Sequence, residues 1–261
     1  MNTSQLSSLV RMCRAGATVE VELANPPLNL VTLAFLKELR NVLGRIAELD
    51  DVRCVILHGG KARVFCAGSD MREFAEVATS PSVDKILPED LALRMLAQLP
   101  MPTIAALDGH ALGGGLEIAL ACDLRVANEA VSLGLTESRI GGLAGSGAVR
   151  LARLIGPAKA KQMLFTGDPV AATEAVRIGL VNESTPRSAI GRARELAGVI
   201  AARGPLANRL AKQLVDGSID MPLDAALLRS TTALDQVFRS NDLHAGAEAF
   251  FAKLEPVFTG S

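Results

Sequence analysis

Tryptophan and tyrosine are absent from the 261-residue chain, and eight phenylalanines are its whole aromatic complement. A surface that stacks bases or cages ammonium groups normally draws on more rings than that. Positive charge is not in surplus either: 27 Lys and Arg face 28 Asp and Glu, a net charge of −1. That argues against a general nucleic-acid or membrane-surface binder. No run of about 18 apolar residues occurs; the most apolar stretch, residues 102–122, is broken by Asp108, His110 and Glu117. Residues 1–17 hold no apolar segment of signal-peptide length. The cysteines Cys13, Cys54, Cys66 and Cys122 form no CxxC pair, and His58, His110 and His244 stand far apart with no HExxH. A zinc site therefore lacks support, and buried, reduced thiols in a cytoplasmic protein are the expectation. What remains, 49% hydrophobic and 21% charged, is the composition of an ordinary globular fold.

Residues 18–23 alternate Val and Glu and predict a strand with one wet face, ended by Asn25-Pro26-Pro27. Thr32 can cap a helix running to about Leu49, with Leu36, Leu39, Leu43 and Ile46 as its buried stripe. The apolar run within residues 53–58, bounded by Gly59-Gly60, predicts a buried strand. Strand, helix, strand is the crossover unit of a parallel sheet. Further strands are expected at 103–107, 124–127 and 180–182, and helices from 113, at 145–155, 158–164 and 172–178. Beyond about residue 187 only helices are expected, over 189–203, 205–215, 223–238 and 241–254. Ser80-Pro81-Ser82 is the best candidate for a mobile loop.

Four segments could carry chemistry. Phe65-Cys66-Ala67-Gly68-Ser69-Asp70 follows an apolar strand, and its small residues would let a ligand approach backbone N–H groups; a tight turn explains it as well. Gly113-Gly114-Gly115 opens a helix and suits an anion, whether phosphate or enolate, although close helix–strand packing is an equal reading. Neither GxGxxG nor a Walker A motif is present at this turn. Glu117 lies in an apolar helix, where a carboxylate is costly unless paired or functional. Glu137, between Leu133-Gly134-Leu135 and a glycine-rich loop, reads alone as a surface turn or capping residue, but two such acids facing one substrate could move two protons. Asp70 and Asp123 read as structural carboxylates.

Together these segments resemble the enoyl-CoA hydratase/isomerase, or crotonase, family, from about Thr18 to the end of the chain. The matching residues include Asn25-Pro26-Pro27-Leu28-Asn29, the 65–70 motif, Gly109 to Glu117, Cys122-Asp123, Leu133 to Glu137, Gly167 and Ile178-Gly179. The resemblance implies an α/β fold, a spiral of ββα repeats over residues 1–200 holding the acyl-CoA site, followed by a helical trimerisation region over 201–261. It implies a homotrimer or dimer of trimers, an acyl-CoA substrate of fatty-acid metabolism, and no cofactor or metal beyond the coenzyme A of the substrate; neither nucleic acid nor membrane is an expected partner. The oxyanion donors map onto the N–H groups of Ser69 and Gly114, and the two acids of a hydratase onto Glu117, which activates water, and Glu137, which delivers a proton. Leu28, Ala67, Asp70, Gly145, Phe250 and Lys253 map onto substrate and CoA contacts, the last two across a subunit boundary. Residues 73–88 and 133–135 are expected to shape the acyl pocket.

The chain departs from the family's pattern at Thr136 and Leu143-Ala144, where proline is common, and residues 25–28 lack a basic residue often found there. The CoA phosphates are therefore expected to be held elsewhere. An enoyl-CoA isomerase, or a hydratase of an unusual acyl group, is the alternative within the family. A catalytically silent assembly protein is the alternative outside enzymes, and an acid inside an apolar helix weighs against it.

Overall fold

Val10–Ala15 (β1) and Thr18–Leu23 (β2) make an antiparallel hairpin in the computed structural model, which describes residues 8–76 and 80–261. In β1 Val10 is buried and Met12 half-buried against the core, while the other residues are wet, so Cys13 is exposed rather than buried as expected. Thr32 caps Leu33–Ala47 (α1), its Oγ1 accepting the Phe35 N–H at 3.1 Å, and the stripe from Leu36 to Ile46 is buried. Cys54–His58 (β3) then pairs parallel to β2.

The next elements repeat one unit. Val64–Cys66 (β4) is followed by Met71–Glu76 (α2), a π-helical turn over Ser82–Ile86, and Leu87–Ala97 (α3). Thr103–Leu107 (β5) and His110–Leu112 (β6) lead into Gly114–Leu120 (α4). Leu124–Asn128 (β7) and Ser132–Gly134 (β8) lead, through a 3₁₀ turn at Glu137–Ile140, into Gly145–Ile155 (α5) and Pro157–Thr166 (α6). Val170–Ala171 (β9), Ala172–Arg177 (α7), Glu183–Thr185 (β10) and Ala189–Ala201 (α8) close the core. Pro205–Ser218 (α9), Leu223–Phe238 (α10) and Asn241–Ala252 (α11) follow.

Each repeat gives its first strand to a six-stranded sheet, β1-β2-β3-β5-β7-β10, and its second to a smaller sheet, β4-β6-β8-β9. This is the spiral of ββα units that the family resemblance implies. Alternate residues of the large sheet face opposite ways: Cys54, Ile56, Ile104 and Val126 pack on Ala189, Ala193 and Ala197 of α8, while Val55, Leu57 and Leu107 enter the main core between the helices. No helix of the described residues is long and apolar enough to cross a membrane.

Two further expectations are corrected. The strand expected at 180–182 lies at Glu183–Thr185. Leu180 and Val181 are apolar because they turn into the core beneath α7, where both N–H groups bond to Ala175 O. Ser80-Pro81-Ser82 leads straight into helical structure, since Pro81 precedes the π turn and Pro88 sits in the first turn of α3, where a missing N–H costs nothing. Of the 73–88 segment assigned to the acyl pocket, residues 77–79 lie outside the described ones. The tail helices leave much apolar surface open: Leu228, Phe238, Phe250 and Phe251 are each more than 60% exposed.

Candidate active site

After β4 the chain turns through Gly68, at φ 106°. Val31 N–H donates to Gly68 O at 2.9 Å, and Asp70 N–H donates to Val31 O at 3.1 Å. These two bonds straddle Ser69 and leave its N–H facing the other way, as in any parallel bridge. On that side Gly113, at φ 54°, bends the chain from β6 into α4, whose first N–H is that of Gly114. The two donors adjoin: a Cβ on Gly114 would lie 3.5 Å from Ser69 N, and one on Gly68 would lie 3.5 Å from Gly114 N. Glycine keeps this surface bare, and the start of α4 adds a positive partial charge. Two convergent N–H groups of this kind suit an oxygen that gains negative charge.

Glu117 stands in the middle of α4. Its Oε1 accepts the Gly147 N–H at 2.6 Å, the approach being so close that a Cβ at position 147 would lie 2.8 Å from Glu117 Cγ. Burial pushes its carboxyl up to about 7; the Gly147 N–H opposes this, and the charges of Glu137 and Glu89 add to it. Glu137 reaches in from the turn after β8, its Oε1 3.1 Å from where a Gly113 Cβ would be. Burial raises this carboxyl too. Among the described residues Glu137 Oε2 is buried with no protein partner, and so is Ser146 Oγ, which lowers Glu117 slightly from outside hydrogen-bonding geometry. The pair thus combines a carboxyl that is half protonated near neutrality with a second acid holding unused acceptor capacity, which is what acid–base work at one substrate requires.

Arg125, buried on β7, grips the far end of α4, donating to Ala119 O at 3.2 Å and Cys122 O at 2.7 Å, and it also reaches Leu180 O at 2.8 Å. Asp123 is structural, as expected: Oδ2 accepts from the Thr103 N–H and hydroxyl and from Lys212 of α9. Asp70 caps α2, accepting the Arg72 N–H at 3.0 Å, and the Arg72 side chain draws its carboxyl down to about 2.

A third acid had no signal in the sequence. Glu89 of α3 accepts the Ser69 hydroxyl at 2.8 Å and lies 3.3 Å from the fully buried Lys85 ammonium. Lys85 also donates to Val31 O at 3.0 Å and to Glu73 at 2.8 Å, and Glu73 in turn accepts the Leu33 N–H. In the sequence Asp84, Lys85, Glu89 and Asp90 look like a solvated charged stretch; only packing of α3 against α1 and the donor loop buries Lys85 and half-buries Glu89.

Leu28 lies beside a cavity of about 770 Å³ that Arg11, Lys61 and Arg63 also line, and Ala67 N–H donates to Leu28 O at 3.0 Å. These basic groups went unrecognised because no motif joins them. Gly145 opens α5 and is exposed. Phe250 on α11 and Lys253 just past its end stand exposed, and no side-chain bond ties either to the acid pair among the described residues.

The chain matches the enoyl-CoA hydratase/isomerase family over residues 14–261. It is 35% identical over 243 residues to the short-chain-enoyl-CoA hydratase of Clostridium acetobutylicum, covering 92% of this chain and 93% of that one. It is 37% identical over 238 residues to the human mitochondrial enoyl-CoA hydratase domain-containing protein 2, covering 89% and 82%. The crystal structure of enoyl-CoA hydratase from Bacillus anthracis superposes with a TM-score of 0.93 at 36% identity, covering 97% of this chain and all of the other.

Proposed function

Since the chain belongs to the enoyl-CoA hydratase/isomerase family, we propose that it is an enoyl-CoA hydratase adding water reversibly to a trans-2-enoyl-CoA. The observation that carries this reading is the presence of two acids, Glu117 and Glu137, both raised by burial and beside one donor pair. The thioester oxygen accepts from Ser69 N–H and Gly114 N–H. As the water oxygen bonds to C3, Glu117 takes its proton and the C2–C3 π electrons move onto the carbonyl oxygen. The enolate collapses as C2 takes a proton from Glu137. Each N–H donor contributes about 2.7–4 kcal/mol toward the enolate. A double-bond shift needs only one acid, so the second gives hydration the better fit.

Arg11, Lys61 and Arg63 fit the CoA phosphates, with Leu28 lining the same cavity and Ala67 bonded to Leu28 through its backbone. Asp70 and Gly145 belong to this reading as neighbours of the substrate through their backbones. The open apolar faces of α9 to α11 fit a homotrimer or dimer of trimers, in which Phe250 and Lys253 reach the CoA of an adjoining protomer. A cytoplasmic location completes the reading.

The test is loss of crotonyl-CoA absorbance, read against the low background of a chain without Trp or Tyr. Glu137→Gln should lower hydration by about 10²–10⁴-fold. If the wild type leaves crotonyl-CoA unhydrated but shifts a 3-enoyl ester to its 2-enoyl isomer, and Glu137→Gln abolishes that shift, the protein is an isomerase.

A further inference from the structure

We propose that Glu89 selects the acyl group, so that the chamber beside the reacting carbons takes a short chain bearing a neutral hydrogen-bond donor such as a hydroxyl, in preference to a plain hydrocarbon or a carboxylate-bearing one. This rests on the acyl-CoA reading of the same site. Ser69 supplies an N–H to the thioester oxygen, and its hydroxyl donates to Glu89 Oε1 at 2.8 Å, so Glu89 stands one hydrogen bond from the donor pair. From the other side, the charge of Glu89 is felt by Glu117 and by Glu137, the groups that act on C3 and C2. Glu89 therefore stands beside the donor pair, and its charge reaches both acids. Its Oε1 is engaged by Ser69 and Lys85, whereas among the described residues no hydrogen bond reaches Oε2, and the side chain stays 20% exposed.

That free oxygen decides what fits. A hydrocarbon tail laid against it strips its water and returns nothing. A hydroxyl at the same place replaces the lost hydrogen bond, and bonds to charged acceptors are among the stronger ones. A second carboxylate meets Glu89, Glu117 and Glu137 together. The cation beside Glu89, Lys85, is already shared among Val31 O, Glu73 and Glu89. Repulsion of that kind is how a site rejects a wrong ligand of the right size.

Three saturated four-carbon esters separate the cases by calorimetric binding: butyryl-CoA, 4-hydroxybutyryl-CoA and succinyl-CoA. None carries the 2,3 double bond, so none is hydrated. The wild type should bind the hydroxybutyryl ester about tenfold tighter than the butyryl ester, and the succinyl ester most weakly. Glu89→Leu should reverse the first preference. Glu89→Gln, nearly isosteric, should keep the hydroxyl preference and admit succinyl-CoA. Equal wild-type affinities for the first two esters overturn the proposal, as does tightest binding of succinyl-CoA or a preference that Glu89→Leu leaves unchanged. Should Glu89→Leu not fold, the wild-type order and Glu89→Gln decide. Crotonyl-CoA hydration, measured on the same wild-type sample, keeps the two readings apart. Hydration with a flat binding order sinks only this proposal; the expected order without hydration sinks only the hydratase.

Discussion

Replacing Glu117 with Gln should cost activity and return stability, and pH separates the two. Burial raises the carboxyl from its ordinary 4.5 to about 7. Between those values the folded chain holds a proton that the unfolded chain has released. Stability therefore falls as pH rises through that window and levels off above about 7. The full displacement corresponds to a ceiling of about 3 kcal/mol. The Gln side chain carries no charge and keeps an oxygen for the Gly147 N–H, so it escapes the penalty without losing that bond. At about pH 8 the variant should be more stable by up to about 3 kcal/mol, or roughly 6–12 °C in Tm. At about pH 5 the gain should shrink to under a third of that. Hydration should meanwhile fall by about 10²–10⁴-fold. Thermal melts at the two pH values and a crotonyl-CoA assay check all three. A variant less stable than wild type at about pH 8, or one whose gain is the same at both pH values, refutes the assignment of the raised carboxyl to burial.

Gly147→Ala sets a Cβ 2.8 Å from Glu117 Cγ and 3.0 Å from Leu135 Cδ2. It should destabilise the fold by about 1–3 kcal/mol in a denaturant titration and lower kcat, because Glu117 must move. Lys61→Ala and Arg63→Ala should raise KM for CoA esters with little change in kcat; the same esters of pantetheine, which lack the nucleotide phosphates, should show no such rise, and an equal rise in both would remove these residues from the phosphate site. Light scattering should give a trimer or hexamer, and a stable monomer at micromolar concentration would contradict the reading of the tail helices.

Where one physical signal dominated locally, the sequence was legible. Thr32 and the stripe from Leu36 to Ile46 located α1 to within two residues of its end, because cap and periodicity agree there. The buried strands β3, β5 and β7 show as short apolar runs. The small sheet does not show, because strands of two or three residues are too short to alternate. Helix α3 was hidden by Pro88, a residue that disfavours helix interiors but not helix starts. Within the site, Glu117 stood out as a charge in apolar company, whereas Glu137 gained meaning only beside Gly113. Glu89 and Lys85 left no trace, since burial of a charged helix face depends on what packs over it, and that is a property of the whole fold.

Helix α4 is only seven residues long, with the Gly114 donor at one end, Glu117 in the middle and carbonyls gripped by Arg125 at the other. A helix of two turns has no stability of its own in water. It persists only while the sheet and Arg125 hold it, so the donor and the acid appear and vanish together. Its amide protons should exchange only through openings about as costly as losing the core. A partly inactivated sample of this protein is then a mixture of fully competent and wholly incompetent molecules, not a uniform population of weakened ones.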